Sequence, residues 1–131
     1  MGYLRPISLG ALLALGHAPF NLWFLSIGAI CLCFLDIVKQ RKRSDIALYV
    51  MFFGIGYFIL TLNWIAEPFF VDFRSHAWIA PFAIFSISIA MAFFWGAFSY
   101  IFAPFGARWA LLLGMATAEY FRSFLLTGFP W

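Results

Sequence analysis

The sequence predicts an all-α integral membrane protein of about five transmembrane helices, and three observations predict it. Of the 131 residues, 66% are hydrophobic, 23% aromatic and only 10% charged, whereas soluble domains are roughly half apolar and about a quarter charged. A chain this short cannot hide so much apolar surface in one globule, because small domains keep a high ratio of surface to volume. The charges are also segregated: Pro6 to Leu35 contains no Asp, Glu, Lys or Arg, and neither does Ala77 to Ala103. Lipid is the solvent that such a chain requires.

The first uncharged stretch exceeds one comfortable span, since a helix crosses the hydrocarbon in roughly 20 residues. It is interrupted by "GHAPFN", where Gly16, Pro19 and Asn21 supply turn chemistry. This predicts a tight hairpin with helices over 3–16 and 20–37; both are short, so the pattern also admits one long kinked helix. Arg5, the apolar run and "GHA" resemble a secretory signal, but the apolar character continues beyond it, and cleavage there would remove only part of a membrane hairpin. Next comes "KQRKR", with Lys39, Arg41, Lys42 and Arg43. Cations concentrated between apolar stretches mark a cytoplasmic loop, with attraction to anionic headgroups as the secondary reading. The net charge of +3 is therefore no nucleic-acid footprint, and no nucleic-acid partner is expected.

A third span is predicted over 46–64, built on "IALYVMFFGIGYFILTL", and is followed by the loop "NWIAEPFFVDFRSHAW", rich in interfacial aromatics. A fourth span follows over 78–102 with Pro81 near its start, then a "PFGAR" turn, and a last span over 109–126. No repeat or linker divides the chain, so residues 1–131 read as one membrane region. With the N-terminus inside, Arg5, the basic loop and Arg108 are all cytoplasmic, as the positive-inside rule requires. The "GHAPFN" turn, the 63–78 loop and the terminal "TGFPW" then share the outer face.

Neither a metal nor a cofactor is expected. Cys31 and Cys33 form a C-x-C within a span; a zinc site normally takes four ligands, and no further His or Cys lies near. Side chains two apart on a helix point to different sides, which disfavours a disulfide. His17 and His76 lack a local partner at metal-binding spacing and read as turn or interface residues.

Glu119 and Arg122 are the unusual residues of the last span. Three apart, they are neighbours on one helical face, and an ionisable group near a span's centre costs about 2.5–3.5 kcal/mol on insertion scales. They are either a structural pair or the border of a polar cavity in which Arg122 faces a lipid phosphate. "LTGFPW" puts Gly128 where the backbone can turn and Pro130 where a helix stops, with Trp131 at the interface. Asn63 and Trp64 end the third span as a cap and belt pair or as polar contacts to bound lipid.

Three segments carry a resemblance: "LALGHAPFNLWFL", "GIGYFILTLNWI" and "AEYFRSFLLTGFPW", in this order. They resemble the N-terminal membrane region of bacterial apolipoprotein N-acyltransferases. The first matches the family's Pro–aromatic turn; the second, its G-x-G…N-W segment, at Gly54, Gly56, Asn63 and Trp64. The third, the most specific, matches at Glu119, Arg122, Thr127, Gly128, Phe129, Pro130 and Trp131. The resemblance implies a multi-pass protein of the bacterial inner membrane. It implies an acyl chain moved from a phospholipid donor to the α-amino group of a lipoprotein's N-terminal diacylglyceryl-cysteine. In the family this proceeds through a thioester on the cysteine of a Glu-Lys-Cys triad, in a nitrilase-like domain. Asn63, Trp64, Glu119, Arg122 and Thr127 to Trp131 become lipid-contacting candidates on the family match. No residue here matches the triad: Lys39 and Lys42 lie in the basic loop, and Cys31 and Cys33 in the second span with no Glu beside them. The expectation is a truncated membrane half, inactive alone, whose partner in a split gene would be a separately encoded catalytic half. The alternative is a non-enzymatic lipid-binding scaffold or gene remnant. A transporter fares worse, for want of the paired repeats that such folds often show.

Overall fold

The computed structural model describes residues 2–70 and 77–125, and every regular element among them is helical. The long elements are α1 (Leu4–Ala14), α2 (Trp23–Ile37) and α3 (Arg43–Thr61). A one-turn α4 (Glu67–Phe70) is followed by α5 (Ala80–Phe102) and α6 (Ala107–Leu125). Short 3-10 turns at Asn63–Ala66, Ala77–Ile79 and Ala103–Phe105 flank α3 and α5. Two helices are long and apolar enough to cross a membrane: Arg43–Thr61, and the continuous helical stretch Ala77–Phe105. α1 and α2 are shorter apolar helices, and α6 is 19 residues long but carries Arg108, Glu119 and Arg122.

The first apolar stretch is a hairpin, not one kinked helix. Arg5 at the start of α1 meets Asp36 near the end of α2 (Nε–Oδ2 2.5 Å). At the other end the Ser26 hydroxyl donates to the Leu13 carbonyl at 2.7 Å, so the two helices run antiparallel. The reversal closes through Asn21 N–H to His17 C=O (2.9 Å) and Leu22 N–H to Leu15 C=O (3.0 Å). Asn21 takes a left-handed φ of 55°, which Asn tolerates better than most residues. α3 starts at Arg43, before the first apolar residue, because its charged first turn projects from the bundle and Asp45 suits the positive end of the helix dipole. It stops at Thr61, which leaves Asn63 and Trp64 in the 3-10 turn.

The two α3 glycines explain how the bundle packs. Residues two apart face different sides of a helix, and here each side receives a neighbour. A methyl group on Gly56 would run into the Ile7 carbonyl of α1. One on Gly54 would sit 3.1 Å from the Ala92 methyl and the Trp95 ring of α5. α3 is thus the centre of a row α2–α1–α3–α5–α6, which curls until α2 and α6 touch. Phe53, Val50, Ile37, Cys33 and Ala92 fill its core. The outside is apolar too: Trp23, Phe82, Phe93 and Phe124 are exposed, a surface far too greasy for a water-facing monomer.

Asp36 marks one end of the bundle. Its buried carboxylate accepts from Arg5, from Lys39 Nζ (3.0 Å) and from the Tyr49 hydroxyl (3.3 Å), joining α1, α2 and α3.

Candidate functional site: a polar cavity at the opposite end

The far end of the row does not close. A cavity of about 740 Å³ lies between the α1–α2 turn, α3, α5 and α6. Leu13, Trp23, Ile30, Leu62 and Met115 make its apolar wall, and His17, Tyr57, Glu119 and Arg122 bring polar groups to it.

Contacts between elements hold these polar groups in place. The Trp95 indole N–H of α5 donates to Glu119 Oε1 of α6 at 2.7 Å, and Arg122 Nη2 donates to Glu119 Oε2. One carboxylate therefore accepts both donors. Arg122 is buried, and its guanidinium carbon lies 5.9 Å from the centre of the Phe58 ring of α3, within the range of a cation–π contact. Trp95 is itself pinned by aromatic neighbours: Tyr57 stacks on it (centroids 5.4 Å apart, planes at 22°) and Phe58 leans against it at 4.8 Å. Across the cavity the Tyr57 hydroxyl and His17 Nε2 are 3.2 Å apart, one hydrogen bond whose direction follows the imidazole tautomer.

The sequence-predicted residues divide three ways. Glu119 and Arg122 line the cavity as a bonded pair. Asn63 and Trp64 sit exposed in the 3-10 turn after α3 and do not line it; the buried Leu62 beside them does. Thr127, Gly128, Phe129, Pro130 and Trp131 lie outside the described residues, as does His76. Reading the sequence missed Trp95 and Tyr57, and treated His17 as a turn residue without a partner. The signal for Trp95 was its place inside a span, away from the interface belt, where an indole N–H must find a protein acceptor. His17 and Tyr57 are forty positions apart, and local spacing cannot report such a pair.

A greasy cavity with a buried guanidinium on its wall offers an acyl chain an apolar lining, and offers a phosphate a planar fork of N–H donors. The model of the apolipoprotein N-acyltransferase N-terminal domain matches residues 9–131. The chain belongs to this family. Similar curated proteins are the apolipoprotein N-acyltransferases of Caulobacter vibrioides (34% identical over 129 residues) and Rhodopseudomonas palustris (33% over 133), each match covering 93% of this chain. That of Brucella suis is 35% identical over 123 residues, which cover 86% of this chain. The matches take up 24%, 25% and 22% of those three proteins, so the chain spans about a quarter of the length of these N-acyltransferases. The cavity is built within the matched residues, on both sides of the "GIGYF" and "AEYFR" segments.

Proposed function

We propose that this chain is the lipid-handling membrane region of an apolipoprotein N-acyltransferase. Its cavity receives the phospholipid that donates an acyl chain to the N-terminal diacylglyceryl-cysteine of a lipoprotein. The observation that carries the reading is the cavity itself: an apolar space on whose wall Glu119, itself held by Trp95, accepts from the Arg122 guanidinium. An acyl chain lies along Leu13, Ile30 and Met115, while Arg122 and the His17–Tyr57 pair face the polar headgroup region. No Glu-Lys-Cys set is assembled among the described residues. Making and breaking the thioester therefore belongs to the part of the relatives that this chain does not cover.

In this reading the five long helices lie in the bacterial inner membrane, α1 and α2 as a hairpin too short to reach its far side, with the Asp36 end and the basic loop in the cytoplasm and the cavity toward the periplasm. The positive-inside rule supports that orientation. The family match proposes Thr127 to Trp131 as further lipid contacts, with Asn63 and Trp64 at the cavity's rim.

A phosphatidylethanolamine with a photoreactive group midway along one acyl chain tests the site in vesicles carrying the chain. Adducts concentrated on peptides containing Ile30, Tyr57 and Met115, and reduced by Arg122→Leu, are expected. Adducts spread evenly over outward residues such as Phe82 and Phe93 would overturn the reading.

A further inference from the structure

A second polar groove lies at the Asp36 end, on the far side of the bundle from the cavity. It has a volume of about 420 Å³ and is framed by the α2–α3 loop (Gln40, Arg41), Gly106 and the first turn of α6 (Arg108, Trp109). Val38, Ile46, Ala103 and Phe105 give it an apolar base. None of its lining residues is acidic. Among the described residues, neither Arg41 nor Arg108 is paired with a carboxylate. The nearby acid cannot serve them, because Asp36 is already occupied by Arg5, Lys39 and Tyr49.

We propose that this groove holds the headgroup of an anionic phospholipid from the leaflet that this end of the bundle faces. Two arginines, one from the α2–α3 loop and one from the start of α6, line one space, and guanidinium binds phosphate through paired N–H donors. The apolar base continues onto the lipid-exposed surface through Phe105 and Trp109, both exposed, so acyl chains can leave sideways while the phosphate stays between the arginines. A free anion would leave that base uncovered; a lipid covers it. Lys42 and Arg43 belong to the same basic run but do not line the groove, which gives the proposal an internal control.

The test is native mass spectrometry of the chain released from vesicles of equal phosphatidylcholine and phosphatidylglycerol. The intact chain should retain phosphatidylglycerol preferentially. Arg41→Gln with Arg108→Gln should lower that retention about fivefold for each arginine, on the scale of surface cations facing acidic lipid. Lys42→Gln with Arg43→Gln, an equal change of charge, should lower it less than twofold. Circular dichroism checks that each variant is folded. If the glutamine pair fails to fold, Arg41→Lys with Arg108→Lys keeps the charge but removes the fork, and should still lose retention. Equal losses from the two pairs would reduce the effect to a diffuse field and overturn the site. So would equal retention of the two lipids, or displacement of phosphatidylglycerol by inorganic phosphate alone, which would make it an ion site.

Discussion

Trp95→Phe and Glu119→Leu, made singly and together, probe the wall of the cavity. The indole N–H lies 2.7 Å from Glu119 Oε1, and the other carboxylate oxygen takes the Arg122 fork. Hydrogen bonds between helices in membrane bundles average about 0.6 kcal/mol and reach about 1.7. Bonds to charged groups sit toward the upper part of such ranges. The Glu119 side chain is 38% exposed, which moderates the value, so about 1 kcal/mol per bond is a fair figure. Trp95→Phe should then lose about 1 kcal/mol through this bond, plus the ring's packing against Tyr57 and Phe58. Glu119→Leu gives up two bonds and takes the carboxylate from the buried Arg122, so it should cost about 3 kcal/mol. The packing term is the same with and without Glu119, so it cancels in the cycle. The double variant should therefore fall short of additivity by about 1 kcal/mol, beyond the few tenths that separate independent sites. The assay is unfolding in mixed micelles by titration with dodecyl sulfate, followed by circular dichroism. Additivity within about 0.3 kcal/mol would refute the direct bond and the built wall with it.

Other outcomes follow from the packing and the proposed topology. Gly56→Leu places a side chain against the Ile7 carbonyl; α1 should detach from α3, seen as faster proteolysis near the N-terminus and a loss of several kcal/mol, overpacking typically costing about 1–3 and backbone displacement more. Asp36→Leu releases the exposed Arg5 and Lys39 side chains to water but leaves the buried Tyr49 hydroxyl without its acceptor, and should destabilise the bundle by about 1–3 kcal/mol, read by the same titration. Asp36→Asn should cost less, because the amide oxygen still accepts. With Cys31 and Cys33 replaced by Ser, Lys42→Cys should react with an impermeant maleimide in inverted inner-membrane vesicles and not in spheroplasts; the reverse pattern would overturn the orientation.

Much of this architecture was legible because composition and charge segregation report helices in lipid. The "GHAPFN" turn falls between helices, and the "KQRKR" run links α2 to the first residue of α3. The Glu119–Arg122 pairing was legible as well, since spacing along a helix determines it. What spacing cannot carry is contact between helices. The partners of Glu119 and His17 are Trp95 and Tyr57, each on another element, and no local pattern links them. Asn63 and Trp64 show how a motif match and a cavity lining select different residues. Their match to the family segment drew attention to them, whereas the cavity is lined by Leu62 and Tyr57 of the same segment. The role of "GIG" was legible only as a motif; its physical meaning, two helices brought close on two sides of α3, needed the packing.

The length of the first hairpin carries a consequence for how the protein meets its bilayer. α1 has 11 residues and α2 has 15, or about 16 Å and 22 Å of helix at 1.5 Å per residue. A typical hydrocarbon core is about 30 Å thick. In the proposed orientation, with Arg5 and Lys39 at the cytoplasmic interface, the turn that carries His17 stops well short of the other. The wall of the bundle is low on that side, and a notch opens below the headgroups of the far leaflet. On the proposed function, that notch is where a phospholipid would enter the cavity from within its own leaflet, tails first, without leaving the membrane or passing through water.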